Sequence, residues 1–208
     1  MISSQNLQFS YQQNQLFSFP DFNCQQEETL LVLGNSGKGK TTFLHLLALI
    51  LPVKSGQIII DGKDVSKLSP EAAAKERAKN IGIIYQRPHF VSALSVQDNL
   101  LLANYLASKK LDKQKLKYLA EALGFESLLN KKTHELSIGE QQRVGIARAL
   151  MNDPNVILAD EPTSSLDDYN CEKVISLLNQ QASVAKAAMV VVTHDQRLKN
   201  HFSNQISL

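Results

Sequence analysis

A glycine-rich stretch with two lysines and a threonine, GNSGKGKT at positions 34–41, has the residue types and the spacing that bind phosphate. Its glycines let the backbone curl with its N–H groups pointing inward. Lys40 would bring a positive charge to terminal phosphates, and the Thr41 hydroxyl would ligate Mg²⁺. We therefore expect a nucleotide phosphate site made of these residues: Gly34, Asn35, Ser36, Gly37, Lys38, Gly39, Lys40, Thr41 and Thr42.

Two neighbouring carboxylates, Asp160 and Glu161, end an apolar run that predicts a buried strand. Ligands of open α/β sheets bind beyond the carboxyl ends of the strands. Asp160 is placed to hold Mg²⁺, directly or through water, opposite Thr41. Glu161 would face the terminal phosphate and polarise the attacking water. The pair therefore predicts phosphoryl transfer to water.

Polar residues at two further strand ends support this prediction. Gln86 follows a short apolar run that we expect beside the strand of Asp160, where its amide can meet the metal, the lytic water or a phosphate oxygen. His194 follows the last apolar run, and its imidazole can donate to a γ-phosphate. Either residue alone suits a structural role, but four strand ends that converge on one site favour catalysis.

A second anion site is indicated at the start of a long predicted helix. Ser137 and Glu140 have the spacing of a capping box, which by itself marks an ordinary helix N-terminus. The hydroxyl, the free N–H groups and the positive end of the helix dipole would also bind an anion. Because one nucleotide needs one phosphate loop, this site suggests contact with a nucleotide bound to another copy.

Strand and helix patterns alternate through most of the chain. Short strands are expected before residue 33, and the apolar runs at 81–85, 156–159 and 189–192 indicate buried strands. The helix after the phosphate loop is expected to end near residues 51–52. This alternation predicts a parallel sheet covered on both faces. Because residues 87–150 look helical, we expect one domain with a core lobe (1–86 and 151–208) and a helical lobe (87–150).

Composition limits the class of protein. The 208 residues suit one domain, and a net charge of +2 is too small to indicate nucleic acid as a partner. Cys24 and Cys171 lack metal-ligand spacing, which favours free thiols in a reducing cytosol. No secretory signal follows Met1, and no apolar run reaches the length of a membrane span. Any action on a membrane is therefore expected to pass through a partner.

Nearly the whole chain closely resembles the nucleotide-binding subunits of ABC transporters. The matching motifs are a Walker A loop (34–41), a glutamine loop (85–87), a signature LSIGEQQRV (136–144), a Walker B strand (156–161), a D-loop (165–167) and a switch histidine, His194. A signature between a glutamine loop and a Walker B strand is highly specific. The sequence EQQRVGIARAL at 140–150 resembles that of the lipoprotein-release and macrolide-export branch of the family, which also includes a cell-division ATPase.

The resemblance implies an α/β fold. It would have a P-loop NTPase (RecA-like) core, an N-terminal antiparallel β subdomain and a helical signature lobe. It also implies ATP as substrate and Mg²⁺ as cofactor. Tyr11 matches the aromatic residue on which adenine stacks, with Phe9 as the alternative, and Asp167 lies in the matching D-loop.

The resemblance further implies two kinds of partner. A second copy of the chain would close head to tail over ATP, with Ser137, Gly139 and Glu140 of each copy completing the other's site. Integral membrane permease subunits would bind the pair on the cytoplasmic side of the inner membrane. Nucleic acid is not among the expected partners. ABC ATPases of DNA repair or chromosome maintenance would carry a long coiled coil between the glutamine loop and the signature. Here only about fifty residues separate the two motifs, and they show no sustained heptads.

Two positions depart from the family pattern. Ile138 stands where the signature usually has glycine, and Lys38 stands where the phosphate loop usually has a small residue. A branched side chain at 138 would weaken contact with the γ-phosphate or alter dimer closure. Ile138 therefore leaves a weakly hydrolysing regulatory subunit open as an alternative. An ABC ATPase that drives mechanical work on the envelope also stays open, because the direction of transport follows only from the branch resemblance.

Overall fold

The short strands near the N-terminus form an antiparallel sheet. The computed structural model describes residues 1–11, 16–35, 37–163 and 168–208. The strands of this sheet are β1 (Ile2–Ser10), β2 (Leu16–Ser18), β3 (Phe22–Cys24), β5 (Ser55–Ile60) and β6 (Lys63–Asp64). β1 lies at the centre and pairs with β2, β3 and β5. Asp61 and Gly62, both with positive φ, form the hairpin turn between β5 and β6, as is typical of an Asp-Gly pair.

The apolar runs form a second, parallel sheet. Its strands are β4 (Thr29–Leu33), β7 (Ile81–Ile84), β8 (Val156–Asp160), β9 (Ala188–Thr193) and β10 (Asn204–Ser207). They lie in the order β10-β4-β9-β8-β7, and every neighbouring pair is parallel. All of β9 is buried, as expected for a strand covered on both faces. The order places the phosphate loop, after β4, and the two carboxylates, at the end of β8, at one edge of the sheet.

Six α-helices lie within the described residues. They are α1 (Lys40–Leu47), α2 (Pro70–Asn80), α3 (Val96–Leu106), α4 (Lys113–Ala122), α5 (Ile138–Leu150) and α6 (Asp168–Val184). The N-cap predicted at Ser137 is confirmed, and Ser69 and Ser95 cap α2 and α3 in the same way, since each side chain accepts a hydrogen bond from a backbone N–H in the first turn. Between β7 and β8 the chain runs through α3, α4 and α5.

Two hydrophobic cores cover the two faces of the parallel sheet. Met189 and Val191 of β9 point into one core, which also takes residues from α3, α4, α5 and α6. Val190 and Val192 point into the other, with α1 and the antiparallel sheet. The predicted covering of both faces is therefore confirmed.

The helix α5 lies very close to β7. A Cβ atom added at Gly82 would lie 2.5 Å from the carbonyl oxygen of Ala149, and one added at Gly145 would lie 2.9 Å from Pro88 Cγ. Backbone and proline ring therefore fill the space that side chains would need.

The end of α1 differs from the sequence-based expectation. The helix stops at Leu47 rather than near residues 51–52. Leu49 has φ of 55° and donates to the carbonyl of Leu46, while Ile50 donates to that of His45. This is the Schellman arrangement, which ends a helix with one left-handed residue. That residue is usually glycine, so a leucine there gave no signal in the sequence.

The strand β10 is absent from the predicted strands. Its residues are mostly polar, and alternate ones are exposed, as is typical of an edge strand. Cys24 and Cys171 are free, as predicted, and both are buried. Among the residues that the structure describes, no helix has both the length and the apolarity to cross a membrane.

Candidate functional site

The phosphate loop folds around its own lysine. Lys40 is only 8% exposed, and its Nζ donates to the carbonyl oxygens of Gly34 at 2.7 Å and Asn35 at 3.3 Å. Gly37 and Gly39 have φ of 82° and 93°, in the left-handed region that favours glycine. The loop therefore holds a cation at its centre and directs it toward whatever binds there.

A cavity of about 340 Å³ lies over this loop. Its lining residues are Phe17, Gly37, Gly39, Lys40, Thr41, Thr42 and Glu161. Phe17 is the residue that the sequence did not reveal. A Cβ atom at Gly39 would lie 2.8 Å from its Cδ1 atom, so the ring rests directly on the loop. Neighbouring aromatic residues at 17 and 19 were a signal, but nothing local distinguished them from core.

Tyr11 lies beside the same site. Its hydroxyl oxygen is 2.9 Å from Oγ1 of Thr42, in the first turn of α1. The Tyr11 ring meets the Phe17 ring edge to face, with 6.4 Å between centroids. Tyr11 is 57% exposed, whereas Phe9 is 4% exposed and belongs to the core. The exposed tyrosine, rather than Phe9, therefore offers a free aromatic face.

Glu161 lines the cavity and is also hydrogen-bonded to β9. It follows β8 with φ of 47°, and its N–H donates to the carbonyl of Val192. Its Oε2 accepts from the Thr193 hydroxyl at 2.8 Å and from the His194 backbone N–H at 3.2 Å. Its Oε1 lies 2.8 Å from Nδ1 of His194 and 3.5 Å from Nζ of Lys40. Thr193, which the sequence did not single out, thus orients the carboxylate.

Asp160 is the last residue of β8 and lies near Thr41 and Lys40 of the phosphate loop. The side chain of Thr41 lies close enough to the Asp160 carboxyl to lower its pKa. Burial and the neighbouring Glu161 carboxylate raise the pKa of Asp160, while His45 and Lys40 oppose that rise. Burial and the charge of Glu161 therefore disfavour the ionised form of Asp160.

Gln86 follows β7, near the carboxyl end of β8, but it is not among the residues that line the cavity. Ile84 pairs with Ala159, so the chain beyond β7 runs beside Asp160. Gln86 is exposed, two residues past the end of β7. The side chain of Tyr85, just before it, is near enough to Asp160 for their charges to interact.

Ser137, Gly139 and Glu140 lie apart, at the start of α5. Ser137 donates its hydroxyl to Oε2 of Glu140 at 2.7 Å, and its N–H donates to the same oxygen at 2.7 Å. The backbone bond, together with the one that the Glu140 N–H donates to Ser137 Oγ at 3.4 Å, forms the predicted capping box. The bonds from Ser137 to the carboxylate lower the pKa of Glu140. Ser137 and Gly139 are exposed, and Ile138 is 80% exposed. Within the described parts of the chain, no hydrogen bond or ion pair joins this group to the phosphate loop.

Four predicted positions remain to be placed. Asn35 and Lys38 are exposed on the phosphate loop, and the Lys38 N–H donates to the Asn35 carbonyl at 3.3 Å. Ser36 and Asp167 lie outside the described residues.

A glycine-rich loop between a parallel strand and a helix, facing an Asp-Glu pair on another strand, defines a P-loop nucleotide-binding fold. Comparison with known proteins narrows this class. Residues 18–164 match the family described as ABC transporter. The chain therefore belongs to the ABC transporter family, as an ATP-binding and ATP-hydrolysing subunit.

Solved structures agree with this family. The dimeric post-hydrolysis structure of the ATP-binding cassette MJ0796 with ADP and Pi is 29% identical, with a TM-score of 0.87 over 100% of this chain and 94% of that one. A dimeric structure of MJ0796, described as a bacterial ABC transporter cassette, is 30% identical, with the same TM-score and coverage. The cbiO1 protein of Clostridium perfringens, part of the ABC transporter complex cbiONQ, is 28% identical, with a TM-score of 0.81 over 93% of this chain and 78% of that one.

Proposed function

We propose that two copies of this chain close head to tail over two Mg-ATP molecules and so drive separate membrane subunits that move or extrude a substrate. One observation carries the proposal: the phosphate loop is built around Lys40 and Glu161, while Ser137 and Gly139 are exposed on a different part of the same chain. One copy thus offers a nucleotide site and also a separate anion-binding surface.

The side chains fit Mg²⁺ as the cation. Thr41 and Asp160 supply a hydroxyl and a carboxylate oxygen, the hard ligands that Mg²⁺ prefers, and it usually takes few of them from protein. Burial beside Glu161 leaves Asp160 in need of a positive charge. Gln86 is the further candidate, from the segment after β7. When bound, the ion would neutralise charge on the phosphates.

The residues around Glu161 have complementary tasks. Lys40 holds the terminal phosphates. Glu161 polarises the attacking water, and the hydroxyl of Thr193 keeps its carboxylate in place. His194, hydrogen-bonded to the same carboxylate and 55% exposed at its side chain, donates to the γ-phosphate. The exposed ring of Tyr11 and the half-buried ring of Phe17, which lines the cavity, hold the adenine and ribose side of the nucleotide.

Closure of the dimer would complete each site. Ser137 and Gly139 open α5, where free N–H groups and the helix dipole favour the γ-phosphate of the nucleotide on the partner copy. ATP rather than ADP is the closing ligand, because only its γ-phosphate bridges the two copies. The dimeric MJ0796 structures support this arrangement.

A groove beside the glutamine loop suits the membrane subunits. It has a volume of about 540 Å³ and lies between α2, β7, α3 and α5. Its walls include Arg77, Tyr85, Leu102, Leu106 and Arg148. Residues 87–150 act as a helical lobe against the core of 1–86 and 151–208, and the groove carries the motion between them. We propose that the subunit works at the cytoplasmic face of the inner membrane and belongs to the lipoprotein-release and macrolide-export branch, which the residues EQQRVGIARAL in α5 support.

The test uses a variant that binds ATP without hydrolysing it. Glu161→Gln should lose ATPase activity and accumulate as a dimer with ATP in size-exclusion chromatography. The control Glu121→Gln, exposed on α4, should hydrolyse ATP like the parent protein. A Glu161→Gln variant that stays monomeric with ATP and hydrolyses it at the parent rate would contradict the proposal.

Ile138 favours a second candidate, a regulatory subunit with weak hydrolysis. Its side chain is 80% exposed at the surface that would meet the partner's nucleotide. A steady-state ATPase assay separates the two functions. If the isolated protein is nearly inactive and Ile138→Gly restores turnover, the regulatory function is favoured. Turnover that is already normal, with little change in Ile138→Gly, favours the full enzyme.

A further inference from the structure

Two adjacent glutamines on α5 make different contacts. Gln141 donates from Nε2 to the carbonyls of Thr133 at 3.1 Å and Leu136 at 3.2 Å, just before its own helix. Gln142 donates from Nε2 to the carbonyl of Pro162 at 2.6 Å, in the turn after β8. The second glutamine therefore ties the signature helix to the segment that carries the two carboxylates.

The residues on both sides of Pro162 are hydrogen-bonded to other parts of the chain. Pro162 is preceded by Glu161, whose N–H and carboxylate are bonded to β9 and to the residue after it. It is followed by Thr163, which is fully buried and donates its hydroxyl to Asp195 at 2.9 Å. A shift of Pro162 would therefore strain the hydrogen bonds of Glu161 and Thr163 on either side of it.

We propose that Gln142 is a positioning residue that transmits the position of α5 to Glu161 of the same copy. Ser137, the N-cap of α5, lies five positions earlier, about 7.5 Å along the helix axis. The inference rests on the proposed function, in which Ser137 contacts the nucleotide of the partner copy. ATP in one site thereby adjusts the general base of the other, and hydrolysis at the two sites becomes cooperative.

Gln142→Leu removes the amide donor and keeps a similar side-chain volume. We expect kcat for ATP hydrolysis to fall by about tenfold, the scale of one lost hydrogen bond. The Hill coefficient should fall from near two in the parent toward one. ATP affinity of the single copy should stay within about twofold, because Gln142 does not line the nucleotide cavity.

Gln141→Leu is the matched control. It removes two similar amide-to-carbonyl bonds from the same helix but leaves Pro162 untouched. If Gln142 only stabilised α5, the control would lower the Hill coefficient as much, and this outcome would overturn the inference. A Gln142→Leu variant with the parent's kcat and Hill coefficient would also overturn it, as would a parent protein without cooperativity.

Two additions keep the test decisive. If Gln142→Leu fails to fold, Gln142→Asn retains an amide that is one methylene too short and gives the same readout. Failure of the proposed function is recognised separately, because Glu161→Gln would then not form an ATP-dependent dimer. Normal dimerisation of Glu161→Gln with unaltered cooperativity in both Gln142 variants would reject only the coupling.

Discussion

The Nζ atom of Lys40 lies 3.5 Å from Oε1 of Glu161, so the cation of the phosphate loop faces the carboxylate after β8. Both side chains are almost buried, at 9% and 12% exposure. Each neutralises the other across the cavity that the nucleotide would enter. A bound triphosphate would take over Lys40, while Thr193 and His194 keep Glu161 in place.

Lys40→Ala should abolish measurable nucleotide binding. The loss is expected to be about a hundredfold or more, since a charge-assisted hydrogen bond is worth about 3 kcal/mol. A fluorescence titration measures it. Lys38→Ala, an exposed position on the same loop, should weaken binding by only about threefold, because its backbone contact is kept. Unchanged affinity in Lys40→Ala would remove the phosphate-loop assignment.

Phe17→Leu should separate binding of the base from binding of the phosphates. Leucine keeps apolar contact over Gly39 but removes the aromatic face, whose stacking on a base is worth about 1–3 kcal/mol. We expect ATP affinity to fall roughly tenfold and tripolyphosphate affinity to stay the same, both by calorimetry. Tyr118→Leu, an exposed aromatic on α4, is the control. Equal loss for both ligands would mean that Phe17 merely supports the loop.

Asp160→Asn should stabilise the protein without nucleotide and remove its response to Mg²⁺. The pKa of Asp160 is raised above 3.8, so the folded state binds the proton more tightly than the unfolded state. The free energy of unfolding therefore falls as pH rises through the window between 3.8 and the raised pKa. The neutral amide avoids this cost. Urea unfolding at pH 7, with and without Mg-ATP, measures both effects; a less stable variant would contradict the sign.

Asp195→Asn should destabilise the fold at neutral pH. Hydrogen bonds from Arg197 and Thr163 lower the pKa of Asp195 to about 2, and its side chain is 9% exposed. This shift from 3.8 corresponds to roughly 2 kcal/mol, fully present above pH 3.8 and lost as pH falls toward 2.

Asp168→Asn provides the control for this pair of charges. Asp168 contacts the same Arg197, but its side chain is 91% exposed, so we expect a loss below about 1 kcal/mol. Urea unfolding of both variants at several pH values gives the comparison. Equal losses would show that burial does not set the strength of the Asp195 contact.

Much of the site could be predicted because its residues follow local patterns. The phosphate loop, the carboxylates after β8 and His194 after β9 all mark the carboxyl ends of apolar runs, and parallel pairing brings those ends together. The caps at Ser69 and Ser137 were also visible, since capping depends on neighbours three residues apart.

The remaining contacts depend on distant parts of the chain. Phe17 reaches Gly39 only because β2 pairs with β1 and lies over the loop. Gln142 meets Pro162 only once α5 has packed against the sheet. A left-handed Leu49 and a polar edge strand such as β10 give no local signal, because tertiary contacts determine both.

The absence of a Cβ atom at Gly82 and at Gly145 determines how closely α5 packs against its neighbours. At these two glycines no side chain separates α5 from β7 or from Pro88, so the helix packs directly against both. A residue larger than glycine at either position would therefore push α5 away from its neighbours and change the shape of this wall of the groove.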